Sequence, residues 1–452
     1  MRPLLVPLLA SCAVVVPSPG VAQTDDLTAL RQQLAAMQAE IGRLAAQVEE
    51  LEARERAEAG DLVSGSGSEG SMTVTAGADT SVTWKGAPEV EAADGWSFKP
   101  RGRIQIDAGV VDAPASIASD GFGFTTELRR AYLGVDGTIP GNFGYRIEAD
   151  FADGVDLTDV YLTYDASEHL TLTLGHQKPF WGLEEMTSDL FTTMLERAAF
   201  NSAFGFERRV GISGTYAKEA VQVQFGIFTD DIDSLDDSNN SYSIDGRVVF
   251  NPKLGDGQLH IGGSAHLRDL NDAASTVRYR ARPFSHTTDV RLIDTGEFSA
   301  SGERNFGLEL AYLHGPFHAV VEGHQMTARR PGLPDPTFRG GYAEVGMLLT
   351  PGDRPGYRNG AFDRIRPVNP VTAGGIGAIQ VNARYDTLDL SDEGLAGGRQ
   401  QTLGFSAVWV PTDYLRFLVN YGHLWIDDAA VLAGTDSGYE VDAVAVRAQV
   451  DF

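Results

Sequence analysis

The sequence predicts an all-β fold: a 16-stranded antiparallel transmembrane β-barrel with an inward-folded constriction loop, preceded by a short N-terminal coiled-coil helix. Three observations carry this expectation. From Phe98 to the end, segments of about ten residues alternate apolar and polar and are separated by turn residues. The polar face of many of these segments is charged, which the dry inner face of a soluble sandwich would not tolerate and a water-filled lumen would. After the leader, no stretch reaches the roughly 18 uninterrupted apolar residues of a membrane helix, which leaves a closed barrel as the way to span lipid.

Residues 1–22 read as a secretory signal: Met1-Arg2, a largely apolar run from Leu4 to Val16, then small residues up to Ala22, with the mature chain beginning at Gln23. Leu9-Ala10-Ser11-Cys12 also fits a lipoprotein cleavage box, although cleavage there would cut through the apolar run. Cys12 is the single cysteine, so the chain after the leader carries no thiol, which suits an oxidising compartment.

Residues 25–56 read as a coiled coil. Leu27, Leu30, Leu34, Met37, Ile41, Leu44, Val48 and Leu51 recur at alternating spacings of 3 and 4. Thr24, Asp25 and Asp26 supply a cap and a favourable charge for the helix dipole. Residues 57–97 read as a linker, Gly- and Ser-rich at 60–71, with room for a strand or two between Met72 and Asp94.

In the barrel region, Ile104, Ile106, Ala108 and Val110 alternate with Arg103, Gln105, Asp107 and Gly109; Phe143, Tyr145, Ile147 and Ala149 alternate with Gly144, Arg146, Glu148 and Asp150. Sixteen such segments run from 99–112 to 440–452. Connections near Ile139–Phe143, Tyr164–His169 and Val410–Tyr414 are short, whereas Thr229–Asn240, Arg268–Arg304 and Thr350–Gly377 are long. Short turns at one end and long loops at the other are expected of an outer-membrane barrel. The final segment places Val444, Val446, Ala448, Val450 and terminal Phe452 on one face, which resembles the assembly signal of such barrels.

One connection stands apart. Between the strand ending near Gly175 and the alternation that resumes at Arg209, the chain reads GHQKPFWGLEEMTSDLFTTMLERAAFNSAFGFERRVGI. Its Phe180, Trp181, Leu183, Met186, Phe200, Phe204 and Phe206 need a surface to pack against. The segment is therefore expected to fold inward and set the width of a pore.

Net charge is -26, which argues against nucleic acid as a partner. The acidity is uneven: Asp230, Asp231, Asp233, Asp236 and Asp237 crowd one connection, while basic residues recur inside strands. Arg outnumbers Lys 31 to 5, and a guanidinium offers oxyanions a rigid fork. Lumen parity selects Arg103, Arg130, Arg146, Arg209, Arg247, Arg384, Arg416 and Arg447. Arg129 and Arg130 cannot both point inward by simple alternation, so one is expected at a bulge or in a subunit contact. No HExxH occurs, and His314 and His318 straddle a Gly-Pro turn. No catalytic residue, metal or cofactor is expected, and an outer-membrane hydrolase would need a Ser-His constellation that nothing in the sequence singles out.

With these residues in hand, the chain resembles the phosphate-selective porin O and P family. The resemblance rests on FKPRGRIQIDAG (98–109), ELRRAYLGVDGTIPGNFGYRIEADFADG (127–154), DVYLTY (159–164) and the long connection followed by RRVGI. It implies a trimeric 16-stranded porin whose inward loop and lumenal arginines guide anions. Residue by residue, the arginine pair of the family motif falls on Arg129 and Arg130, the loop arginine on Arg197, and the Thr-Ser step on Thr187 and Ser188. Phosphate-specific members carry a lysine just before that step, where this chain has Glu185, and a second hydroxyl where it has Asp189. Phe180, Trp181 and Glu185 belong to the constriction loop on this reading.

The resulting expectation is passive uptake of small anions, phosphate or related oxyanions, across the lipid bilayer of the bacterial outer membrane, by a homotrimer with a periplasmic coil that could touch the cell wall. A general-diffusion or organic-solute porin, and a barrel-anchored envelope tether, are the alternatives.

Overall fold

The computed structural model describes residues 74–75 and 80–452 apart from 118 and 120. The expected leader, the coiled coil and the first part of the linker lie outside the described residues. Residues 98–452 form the barrel together with Ser97. Its first eight strands are β1 (Ser97–Asp112), β2 (Gly123–Ile139), β3 (Phe143–Asp150), β4 (Asp156–Ser167), β5 (Leu170–Gln177), β6 (Arg209–Lys218), β7 (Val221–Phe228) and β8 (Tyr242–Phe250). The second eight are β9 (Gly257–Asp269), β10 (Gly302–His314), β11 (Phe317–Arg329), β12 (Thr337–Leu348), β13 (Ala378–Asp392), β14 (Leu395–Thr412), β15 (Leu415–Asp427) and β16 (Tyr439–Asp451). Each pairs antiparallel with the next. The sheet closes where β16 pairs with β1, Val444 opposite Val110 and Ala448 opposite Ile106, so the barrel has no free edge.

The alternation sorts side chains as the sequence pattern expects. Along β7, Gln222 and Gln224 turn inward while Val223, Phe225 and Ile227 stand on the outer wall. Outside, large apolar groups are bare, Leu308 at 75% exposure. At about 25 cal/mol per Å² such a wall is costly in water and favourable in lipid. Exposed aromatics gather near the short-turn end, Phe143 against Tyr164 at 4.9 Å and Trp409 against Phe417 at 5.4 Å, as expected of the belt at a membrane–water interface.

Connections after even-numbered strands all emerge at one end. Most are tight, such as Pro140–Asn142 and Asp413–Tyr414. The exception corrects the simple length rule: residues 349–377, expected among the long loops, follow β12 and so lie at the short-turn end. Conversely β13 and β14 are joined at the long-loop end by Glu393 and Gly394 alone. Both adopt positive φ, 47° and 81°, which matches the twist of a two-residue hairpin. Below the short-turn end, Thr80–Trp84 and Pro88–Ala92 form a hairpin within the stretch read as linker, and Val90–Glu91 pairs with Ser97–Phe98 at the start of β1.

Three segments enter the lumen. Residues 178–208 cross it between β5 and β6, with two short helical turns, Leu183–Met186 and Ala199–Ala203. Residues 270–301 descend from the long-loop end; a Cβ at Gly404 or Gly422 of the inner wall would strike the Phe284 ring, so glycine there makes room for it. Residues 349–377 rise from the short-turn end. The Tyr357 hydroxyl hydrogen-bonds His260 at 2.7 Å, and the Gly360 carbonyl accepts from Arg247 at 2.8 Å.

These segments do not fill the barrel evenly. Inner residues of β7, β8 and β10–β16 are almost all buried, whereas those of β2 to β5 are largely half-exposed. Open space therefore runs beside the first third of the wall.

Candidate functional site

The long connection is held inward by the wall behind it. Trp181 stacks on Phe206 at 4.4 Å and lies 4.0 Å from the His266 ring; Phe200 stacks on His324 at 4.8 Å. An irregular segment also carries backbone groups that must find partners when buried. The inner wall supplies them. Arg416 donates to the carbonyls of Leu190 at 2.6 Å and Thr192 at 2.5 Å, and Arg447 to that of Leu195 at 2.8 Å. Glu322 accepts from the Glu184 amide, and Asp386 from the Ala199 amide, both at 2.9 Å. Arg384 bridges Glu184 of the loop at 2.6 Å and Glu344 of the wall at 2.7 Å. Arg247 is bidentate to Glu309 at 2.7 Å. Four arginines selected by lumen parity are thus inward but covered, and they fasten inserted segments.

The remaining candidates face the open arc. Gln105 pairs with Arg130 and Ile106 with Leu128, which leaves Arg129 as the extra residue of a bulge. The bulge turns both arginines toward the lumen. Arg129 grips Glu196 through two nitrogens, at 3.0 and 3.1 Å. The Arg130 Nε lies 2.6 Å from one Asp189 oxygen, and Arg103 donates to the other. Arg103 also lies over the Tyr132 ring at 4.4 Å. Burial would push the Asp189 carboxyl up, but Arg103 and Arg130 beside it hold it well below the usual carboxylate range.

Glu185 sits between Lys178, 2.6 Å away, and Arg197, 3.3 Å away. Arg197 also donates to the carbonyls of Glu184 and Thr187, which ties its guanidinium to the loop's own fold. Burial pushes the Lys178 ammonium down to about 8 despite the Glu185 carboxylate. Arg146 pairs with Asp136 at 3.2 Å and Asp159 at 3.7 Å. Arg209 is held by Asp230 at 2.8 Å, so part of the acidic connection serves as its counterion.

The hydroxyl expectations divide. Ser188 accepts from the Leu190 amide at 3.3 Å and lies 3.4 Å from Asp189, at the edge of the constriction. Thr187 is buried: its hydroxyl donates to the Leu183 carbonyl at 2.8 Å and accepts from the Phe362 amide at 3.3 Å. Phe180 and Trp181 are buried as well and anchor the base of the loop. Sequence reasoning missed Lys178 and Arg208, which lie in the loop rather than on a strand, and the alternate arginines Arg278, Arg280 and Arg282 on the descending segment. An Arg-x-Arg-x-Arg run inside a long connection was the available signal.

Four cavities adjoin one another along the open arc. At the long-loop end, one of about 630 Å³ is lined by Arg268, Arg278, Arg280, Arg282 and Arg291. It shares Arg282, Asn201 and Phe206 with one of about 200 Å³ that reaches Arg129, Arg130 and Arg197. That cavity shares Arg130, Glu185 and Arg197 with one of about 310 Å³, which in turn shares Lys178, Asp189 and Arg208 with a space of about 600 Å³ at the short-turn end. The narrow middle is where Asp189 and Glu185 lie.

Comparison with known proteins places this arrangement. The family model described as "Phosphate-selective porin O and P" matches residues 98–452. An uncharacterised protein of Caulobacter vibrioides is 40% identical over 99% of this chain and 96% of its own length. Porin O of Pseudomonas aeruginosa is 29% identical over 84% of this chain and 94% of its own. Among solved structures, the anion-selective porin of Comamonas acidovorans superposes with a TM-score of 0.51 at 14% identity, covering 79% of this chain and all of that one. A trimer form of the Vibrio cholerae outer-membrane protein OmpT gives 0.50 at 11% identity, with 79% of this chain and 100% of that one covered. By its sequence match and its closed barrel of sixteen strands, the chain belongs to the phosphate-selective porin O and P family and is an outer-membrane β-barrel porin.

Proposed function

We propose that the barrel is a passive channel for small anions, inorganic phosphate and related oxyanions among them, moving along the open arc. The observation that carries this reading is the surplus of positive charge at the wide entrance. Among the described residues Arg280 makes no ion pair, and Arg291 donates only to the Asp289 carbonyl, at 2.7 Å. Burial, and then the charges of Arg282 and Arg280, push the Arg291 guanidinium down to about 10. Cations crowded in this way gain from an anion: at about 4 Å and an intermediate effective dielectric the attraction is roughly 4 kcal/mol. Further in, every cation of the constriction already has a carboxylate. Such a lumen draws anions in without holding them tightly, as conduction requires, and it speaks for small anions in general more than for strict phosphate selectivity.

The printed description of the Comamonas acidovorans relative as anion-selective, and the trimeric form of OmpT, point the same way. A homotrimer here would also suit the heptad seam of residues 25–56, which would gather three chains on the periplasmic side, within reach of the cell wall. The test is the reversal potential of purified protein in planar bilayers under a KCl gradient. Anion preference is expected, and cation preference would overturn the reading.

A further inference from the structure

We infer that Asp189 is the resident counter-anion of the constriction: its carboxylate occupies the place between Arg103 and Arg130 that a permeating anion would take, and so determines which anions the channel can hold. This deepens the proposed anion channel and rests on it.

The geometry supplies the reason. One carboxylate oxygen takes the Arg130 Nε at 2.6 Å and the other takes Arg103, so the two wall arginines converge on one small planar anion carried by the loop. Both arginines are anchored independently of it, Arg130 through the Gln105 side chain at 2.8 Å and Arg103 over the Tyr132 ring at 4.4 Å. Removing the carboxylate would therefore leave a preformed two-arginine fork facing the constriction, the arrangement that binds oxyanions through parallel charge-assisted bonds. With the carboxylate present, an incoming oxyanion must displace a tethered competitor whose local concentration does not fall when solute is diluted.

Asp189 is also the right partner to exchange. It lies where two cavities of the open arc meet, and Ser188 is its only further side-chain contact among the described hydrogen bonds, at 3.4 Å. Glu184, by contrast, is fastened to Ala198, Asn201 and Arg384 and is covered. The class of solute that follows is small anions that interact weakly with guanidinium in passing. Oxyanions that need a two-arginine fork to bind are denied it.

The experiment compares wild type with Asp189→Asn and Asp189→Ser, each made in the full chain, selected for folding by heat-modifiable gel mobility, and recorded in planar bilayers in chloride with rising inorganic phosphate. Two replacements are used so that a folding defect in one does not decide the outcome. Both should raise the anion-to-cation permeability ratio, and phosphate should block chloride current at concentrations about tenfold lower or more than in wild type, a change worth ~1.4 kcal/mol. Asp189→Glu, which keeps the charge, should stay near wild type. Equal phosphate block in wild type and in a conducting uncharged variant would overturn the inference. Cation preference in wild type would instead overturn the anion reading, while a shift toward anions on removing Asp189 would still be measured between the proteins.

Discussion

Two arcs of one barrel wall use the same residue type for different ends. Along β2 to β5, and on the neighbouring face of β1, inward arginines line open space: Arg103, Arg130 and Arg146 pair with carboxylates at its rim. Along β8 to β16, Arg247, Arg384, Arg416 and Arg447 point inward just as regularly, yet each is covered and fastens an inserted segment. A water-filled cylinder can accept backbone in its lumen only if the wall supplies donors and acceptors, since buried unpaired peptide groups are costly. The larger part of the wall has become a socket, and the first third is left beside open space.

The sharpest break of this contrast is at Arg384. Arg384→Ala leaves Glu184 and Glu344 buried without their shared cation, a loss on the order of 3–5 kcal/mol. The loop should loosen, seen as higher and noisier single-channel conductance and a lower temperature of heat-modified gel migration; unchanged conductance would deny the socket its role. Next in size is Phe200→Ala, which empties the site between His324 and Tyr342 at a cost of about 3 kcal/mol or more. It should loosen the same loop without altering any charge, so that conductance rises while ion preference holds.

A third effect belongs to the open arc. Because the Lys178 ammonium loses its proton at about 8, its charge is present below that pH and is lost above it. Anion preference should therefore fall between pH 7 and pH 9, and Lys178→Arg should flatten the profile. The smallest expected effect is that of Arg280→Gln at the entrance. A single unpaired rim charge should lower anion preference modestly in dilute salt and not at 1 M, where the Debye length is about 3 Å.

Much of the barrel was legible because a strand has period two and lipid and water enforce it on opposite faces. All sixteen segments became strands, although β14 begins at Leu395 rather than near 400, because Gly397 and Gly398 carry no side chain to show the alternation. The doublet Arg129-Arg130 broke the pattern visibly and marked the bulge. What was not legible depends on partners far away in the chain. Nothing near Thr187 announces that its hydroxyl receives the amide of Phe362, and parity gives the direction of Arg416 without revealing that loop carbonyls cover it. The end at which residues 349–377 emerge was misjudged because length stood in for strand counting.

The contrast between the arcs can be measured directly, since Cys12 is the single cysteine of the sequence and replacing it by Ser leaves introduced thiols unique. Thr173→Cys on the open arc and Ser406→Cys on the covered arc should be exposed to methanethiosulfonate reagents of either charge during bilayer recording. The expected result is rapid current block at Thr173→Cys, faster with the anionic reagent than with the cationic one, and little reaction at Ser406→Cys. Equal reaction at the two positions, or faster reaction with the cationic reagent at Thr173→Cys, would contradict an anion path along β2 to β5.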